Sequence, residues 1–270
     1  AVAVFDRPVP SRPAIGLLVQ IARQIGHRLL PGRLARAVAD EDRRADMEEA
    51  SRVYRELTAA YWSSNQLALN LYSMVRRLNL AERMGPSEHL IESYGMMAFA
   101  CHAVRLHGLA RRYARRAEAA AAQIDAPLSY ALALNAISLG LFGIADYDGI
   151  RRNTERSEEI YRRFGDWRGW GESMVTRANL AFFESDLVQS LQCNDEVLLV
   201  ALRSGNRLHQ IWAHTGRAGT LLRLGRLSEA LVAAEQARVL SEENAERITE
   251  ISSLGVLAQT HLLLGEPEAA

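Results

Sequence analysis

Side chains able to bind metal, cradle phosphate or move protons are few and scattered in this 270-residue sequence. Cys101-His102 and His107 lie close together, but no His-x3-His or Cys-x2-Cys spacing accompanies them to bring zinc ligands to one point. Gly165, Gly169 and Gly171 surround Trp167 and Trp170. They lack the preceding strand and the Lys-Ser/Thr pair of a phosphate loop. They read instead as a junction between helices, where the two tryptophans cap or fill a gap. Glu155, Glu158 and Glu159 share a segment with Arg151, Arg152 and Arg156 at helical spacings. That is the pattern of a solvated, ion-paired helix face rather than of an acid/base pair. No Gly-x-Ser-x-Gly elbow occurs. The sequence therefore assigns no catalytic, metal or cofactor-binding residue. The segment reads as non-enzymatic, an unrecognised helical active site being the least favoured alternative.

Composition narrows the class. The chain carries 32 basic and 32 acidic residues, for a net charge of zero, and 49 % of its residues are hydrophobic. Neutrality argues against a chain-wide nucleic-acid footprint, and the apolar content argues against disorder. Every basic residue is Arg, which points to codon bias rather than to guanidinium chemistry. The apolar stretches read as shorter than the roughly 20 residues of a membrane span. Two cysteines, Cys101 and Cys193, make no disulfide framework and fit a reducing cytoplasm. With no initiator Met and both ends falling within a pattern, the chain reads as a piece of a longer protein.

That pattern is a 40-residue repeat. Breaks fall at Met84-Gly85-Pro86, Ile124-Asp125-Ala126, Phe164-Gly165-Asp166, Ser204-Gly205-Asn206 and Asn244-Ala245-Glu246. Gly, Asp and Asn there suit the left-handed residue that closes a helix. A second set, half a repeat away, runs through Asn65, Arg105, Ala145, Ser185, Gly225 and Gly265. The segments between are rich in the helix formers Ala, Leu, Arg and Glu. Each unit is thus predicted to be a helical hairpin. One column is always small, Ala98, Ser138, Ala178, Ala218 and Ala258, so that backbones can approach closely. Tyr94, Leu134, Met174, His214 and Leu254 lie four residues earlier, and Cys101, Leu141, Ala181, Leu221 and His261 three residues later, on the same face. His214 and His261 are accordingly expected to be packed rather than ligating. The second helix carries the columns Ala110, Ile150, Ser190, Ala230 and Ala117, Ser157, Val197, Ala237.

These columns resemble the tetratricopeptide repeat (TPR), best in His214-x3-Ala218-x2-Leu221-x3-Gly225-x-Leu227-x2-Ala230-x6-Ala237. Earlier copies lack the turn glycine, holding Arg105, Ala145 or Ser185, and the period is 40 rather than about 34. The resemblance implies an all-α, right-handed superhelical solenoid over residues 48–270, of about five hairpins and a truncated last repeat. A narrower likeness rests on Phe5-Asp6-Arg7-Pro8-Val9-Pro10, the helix from Gly16-Leu17-Leu18 to Arg28-Leu29-Leu30-Pro31, Tyr61-Trp62, Asn79 to Pro86, and Leu109-Ala110-Arg111-Arg112-Tyr113. It resembles the C-terminal tail of bacterial multidomain signalling proteins, in which an adenylate/guanylate cyclase or kinase-type domain and an AAA/STAND ATPase module precede a TPR-like region.

The TPR likeness implies a groove lined by first helices. Its candidate residues are Glu92, His102, Asn135, Phe142, Glu172, Asn179, Phe182, Trp212 and Thr215, with Glu92 and Glu172 toward the rim and Phe142 and Phe182 alternatively in the core. The implied function is a cytoplasmic protein- or peptide-binding sensor that regulates upstream domains of the same chain, with no cofactor. The alternative is an oligomerisation scaffold that makes homo-oligomers. No nucleic-acid contact is expected of the repeats. Residues 1–47 form a basic leader. Within its first 39 residues six arginines face one acid, a net of +5, leaving the remainder at −5. Pro8, Pro10 and Pro13 suggest an extended segment. From Ile15 to Leu30, the apolar Leu18, Ile21, Ala22, Ile25 and Leu29 oppose Arg23, Gln24, His27 and Arg28. Such a helix either packs on the first repeat or joins it to a preceding domain, or it meets a membrane surface or an acidic partner.

Overall fold

The computed structural model describes residues 10, 12–29 and 41–268, and every regular element among them is helical. The proline segment before Pro10 and the stretch from Leu30 to Asp40 lie outside the described residues. Twelve helices follow in order: α1 (Pro13–Leu29), α2 (Glu41–Ser63), α3 (Leu67–Met84), α4 (Glu88–Ala103), α5 (His107–Ala121), α6 (Pro127–Leu141), α7 (Tyr147–Phe164), α8 (Trp167–Phe183), α9 (Leu187–Ser204), α10 (Arg207–Arg223), α11 (Leu227–Glu243) and α12 (Arg247–Leu264). A 3-10 turn, Phe142–Ile144, follows α6. The chain divides into two compact units, Ala1–Ala145 and Asp146–Ala270. The leader boundary expected after residue 47 falls inside α2.

The repeat is written most plainly in the backbone. Asn65, Arg105, Ala145, Ser185, Gly225 and Gly265 all have positive φ, at 40-residue spacing. Gly85, Gly165, Gly205 and Ala245 form the second set. Asp125 breaks the series: α5 ends at Ala121 and Pro127 opens α6, with no left-handed residue between them. In the second unit the residue after each left-handed position often caps the next helix. The side chains of Asp146, Asp166, Asp186 and Asn206 accept from the backbone N–H of Gly149, Gly169, Gln189 and His209 at 2.9–3.1 Å. A turn of this kind satisfies orphan groups on both helices it joins.

In the first unit α4 packs on α3, α5 and α6, and α2 on α3. Close approach of α4 to α6 depends on glycine: a Cβ on Gly95 would stand 2.6 Å from Cα of Ala133. The apolar stretch Pro127–Ile144 contains 18 residues of span-like composition, longer than the sequence reading allowed, but it is mostly buried as the core helix α6. Helix α1 docks on α3 through its polar side. Asn79 Nδ2 donates to the Gln20 backbone oxygen (3.0 Å) and to Gln20 Oε1 (3.1 Å), and Gln24 Nε2 donates to both carboxylate oxygens of Glu82 (3.1 and 3.0 Å). So α1 does pack on the first hairpin, but not with the face an amphipathic reading selects.

In the second unit each helix from α7 to α12 packs on the next, and α8 with α10 and α10 with α12 also meet. The columns are buried as expected at Ala178, Ala218, Ile150, Ser190, Ala230, Ser157, Val197 and Ala237, but in the last helix Ala258 is only half-buried and Leu254, expected on the same face, is exposed. Trp170 is buried while Trp167 is 56 % exposed, their rings edge-to-face at 6.0 Å. The glycines beside them are spacers: a Cβ on Gly169 would collide with the Tyr161 ring, and one on Gly171 with His209. Glu158 departs from the solvated-face reading. It is 2 % exposed, accepts from Arg177 of α8 at 2.7 Å and lies 3.8 Å from Arg162. Burial raises its pKa, against the pull of those two arginines.

Candidate functional site

The nine groove candidates fall on four columns of the first helices, and the two units treat these columns differently. In the second unit all five are half-buried, held at the surface by helices whose flanks are in the core. Glu172, Val175, Asn179 and Phe182 run along α8, and Trp212, Thr215, Gly219 and Leu222 along α10, each at steps of three and four. Caps at Asp166 and Asn206 start these helices 40 residues apart and so align the two stripes. Phe182 lies over Gly219, whose added Cβ would meet its ring at 4.0 Å. The Arg223 guanidinium sits 4.2 Å from the Phe182 centroid, within cation–π range. Trp212 stacks on His209 with centroids 5.4 Å apart. His209 itself is buried, and burial, reinforced by Arg168, lowers its pKa to about 4. Its neutral ring is thus a fixed shelf for Trp212. Arg168 Nε lies 3.7 Å from Glu172. This surface offers two aromatic faces, a side-chain amide and charges of both signs. Such a set provides apolar area and backbone hydrogen bonds to an extended peptide.

In the first unit the same columns are largely closed. Glu92 is not at a rim. It is buried, ion-paired with the buried Arg77, accepts from Ser129 Oγ at 3.0 Å and lies 3.9 Å from Arg55. Two buried charges in contact are tolerable because extra hydrogen bonds offset their desolvation. Asn135 is buried on α6, and Phe142 is half-buried in the 3-10 turn. His102 is buried too, with its Nδ1 3.1 Å from Nδ1 of His107. The left-handed Arg105 between α4 and α5 brings these rings together. The closeness of His102 and His107 along the chain, with four residues between them, is visible in the sequence; that their rings meet is not, because it depends on the turn at Arg105. With Phe99, Arg105, Leu139 and Gly140 the imidazoles line a cleft of about 380 Å³. No group of three or more metal-ligating side chains occurs among the described residues.

The remaining singled-out side chains are structural. His214 is half-buried, and burial lowers its pKa. His261 Nδ1 meets Glu266 Oε2 at 3.0 Å. Cys101 and Cys193 are buried and in no disulfide, and burial pushes Cys193 up to about 11, away from nucleophilic use. No protein-family model and no curated protein matches the chain.

Proposed function

We propose that the chain is a non-catalytic peptide- or protein-binding module, a right-handed stack of TPR-like hairpins serving a larger bacterial signalling protein in the cytoplasm. The observation that carries this reading is the paired stripe of α8 and α10, where Asn179, Phe182, Trp212 and Thr215 stay half-exposed between buried flanks. An extended peptide laid across it would stack on Trp212 and Phe182 and exchange backbone hydrogen bonds with Asn179. Occupancy would then bias an upstream ATPase- or cyclase-type domain. The test is a peptide library presented to the whole chain. Binders should weaken about tenfold or more on Trp212→Ala or Asn179→Ala, the loss of a central aromatic or polar contact. A library whose binders are all indifferent to both substitutions would count against it.

A second reading, self-association, rests on a separate observation. Val188, Leu199 and Leu202 of α9 and Val232 of α11 are more than half exposed. Light scattering over a concentration series decides: a mass that rises with concentration, and falls back in Leu202→Glu, supports the scaffold.

A further inference from the structure

The outer face of α1 has the wrong polarity for water. Its glutamines Gln20 and Gln24 are buried against α3, while Ile15, Leu18, Val19, Ile21 and Ile25 point outward, Leu18 at 66 % and Ile25 at 51 % exposure. At 100° per residue, the arc from Ile21 through Leu18 to Val19 covers about 160°. A seam between two helices is narrower, whereas a helix lying at an apolar–water boundary shows an apolar face of this width. The hydrogen bond Gln20 accepts from Asn79 and those Gln24 donates to Glu82 fix the rotation of α1 on α3, so the exposure is built in.

Charge supplies the rest. Helix α1 contains no carboxylate, Arg23 borders its apolar arc on the side of Val19, and Arg12 immediately precedes its first turn. Arg23 adjoins a cationic group made with Arg43, Arg76 and Arg83. Burial lowers the pKa of Arg83, and Arg43, Arg76 and Arg23 lower it further. An apolar arc edged by concentrated positive charge is complementary to one phase that is both apolar and anionic. We propose that α1 lies on an anionic phospholipid surface, its isoleucines and Leu18 among the acyl chains and Arg12, Arg23 and the neighbouring arginines on the headgroups. A second copy fits less well, because two-fold antiparallel pairing of α1 sets the two arginine edges side by side.

Co-sedimentation of the whole chain with vesicles tests this. Vesicles of phosphatidylcholine containing about 30 % phosphatidylserine should bind it at least about tenfold better than pure phosphatidylcholine, and high salt should weaken the binding. The double variant L18E/I25E, both sites being solvent-exposed, should keep its helical spectrum and lose about tenfold or more in partitioning. R23Q alone should lose about fivefold on anionic vesicles. Three results each overturn the proposal: no binding to either vesicle, equal binding to both, or binding indifferent to these substitutions. So does a lipid-free dimer that L18E/I25E dissociates, or an acidic amphipathic peptide bound through Leu18 in preference to vesicles. Should L18E/I25E fail to fold, R23Q and the salt series still decide.

Discussion

Gly95 shows how little space single residues leave. Its Cβ-less backbone allows α4 to touch α6, and the atoms a methyl would strike belong to Ala133, including its Cα and carbonyl oxygen. Backbone cannot step aside as a flexible side chain can. Gly95→Ala should therefore destabilise the chain by about 1–3 kcal/mol or more, seen as a lower urea midpoint. His209 gives a pH prediction. Its pKa is about 4 when folded, against 6.5 for the ordinary imidazole, because burial disfavours the charged ring. A depressed pKa contributes stability that is full above pH 6.5 and lost as pH falls toward 4, about 2–3 kcal/mol by pH 4.5. The difference between wild type and His209→Gln in urea titrations at pH 7.5 and pH 4.5 should reveal it. Equal pH dependence in both proteins would refute it.

The connections between elements carry the repeat. Each of these turns coincides with a break in the helical pattern of the sequence, and three of them lack the glycine that the TPR pattern places there. Arg105, Ala145 and Ser185 nevertheless adopt the left-handed conformation the glycine would have adopted. Packing of the hairpin imposes it, at a local cost of about 1–2 kcal/mol. Adjacent residues should then respond oppositely. Ser185→Gly relieves the strained φ of +67° and should stabilise by about 0.5–1 kcal/mol. Asp186→Ala removes the cap on Gln189 and should cost about 1 kcal/mol. Thermal unfolding of the two variants checks both. At the far end, Leu262, Leu263 and Leu264 of α12 are exposed. Amide exchange should be faster over residues 256–264 than in α8–α10. Protection there equal to that of α10 would contradict this.

For the whole chain the charges cancel, and the sequence pI is near 7.3. Colloidal repulsion is weakest at that pH. With exposed apolar faces on α1, α9 and α12, solubility should pass through a minimum close to pH 7.3 and rise on either side. Precipitation titrations measure this directly. The zero is also an average over regions with different roles: the first 39 residues are net positive and the rest net negative, as composition shows.

Helix content, the 40-residue period, the buried small columns and the turn positions were legible in the sequence because they depend on local chemistry: propensity, left-handed turns and spacing on a helical face. The shared placement of Glu172, Asn179, Phe182, Trp212 and Thr215 along α8 and α10 was legible too, since their columns repeat. Three features were decided only by tertiary structure. Glu92 and Glu158 are buried because arginines on neighbouring helices, Arg77 and Arg177, reach them, and spacing along one helix says nothing of that. His102 and His107 meet because the left-handed residue between α4 and α5 folds the chain back. Helix α1 presents its apolar side outward because α3 offers Asn79 and Glu82, polar partners that select the glutamine face instead. Periodicity identifies the faces of a helix; the neighbour it meets determines which face is buried.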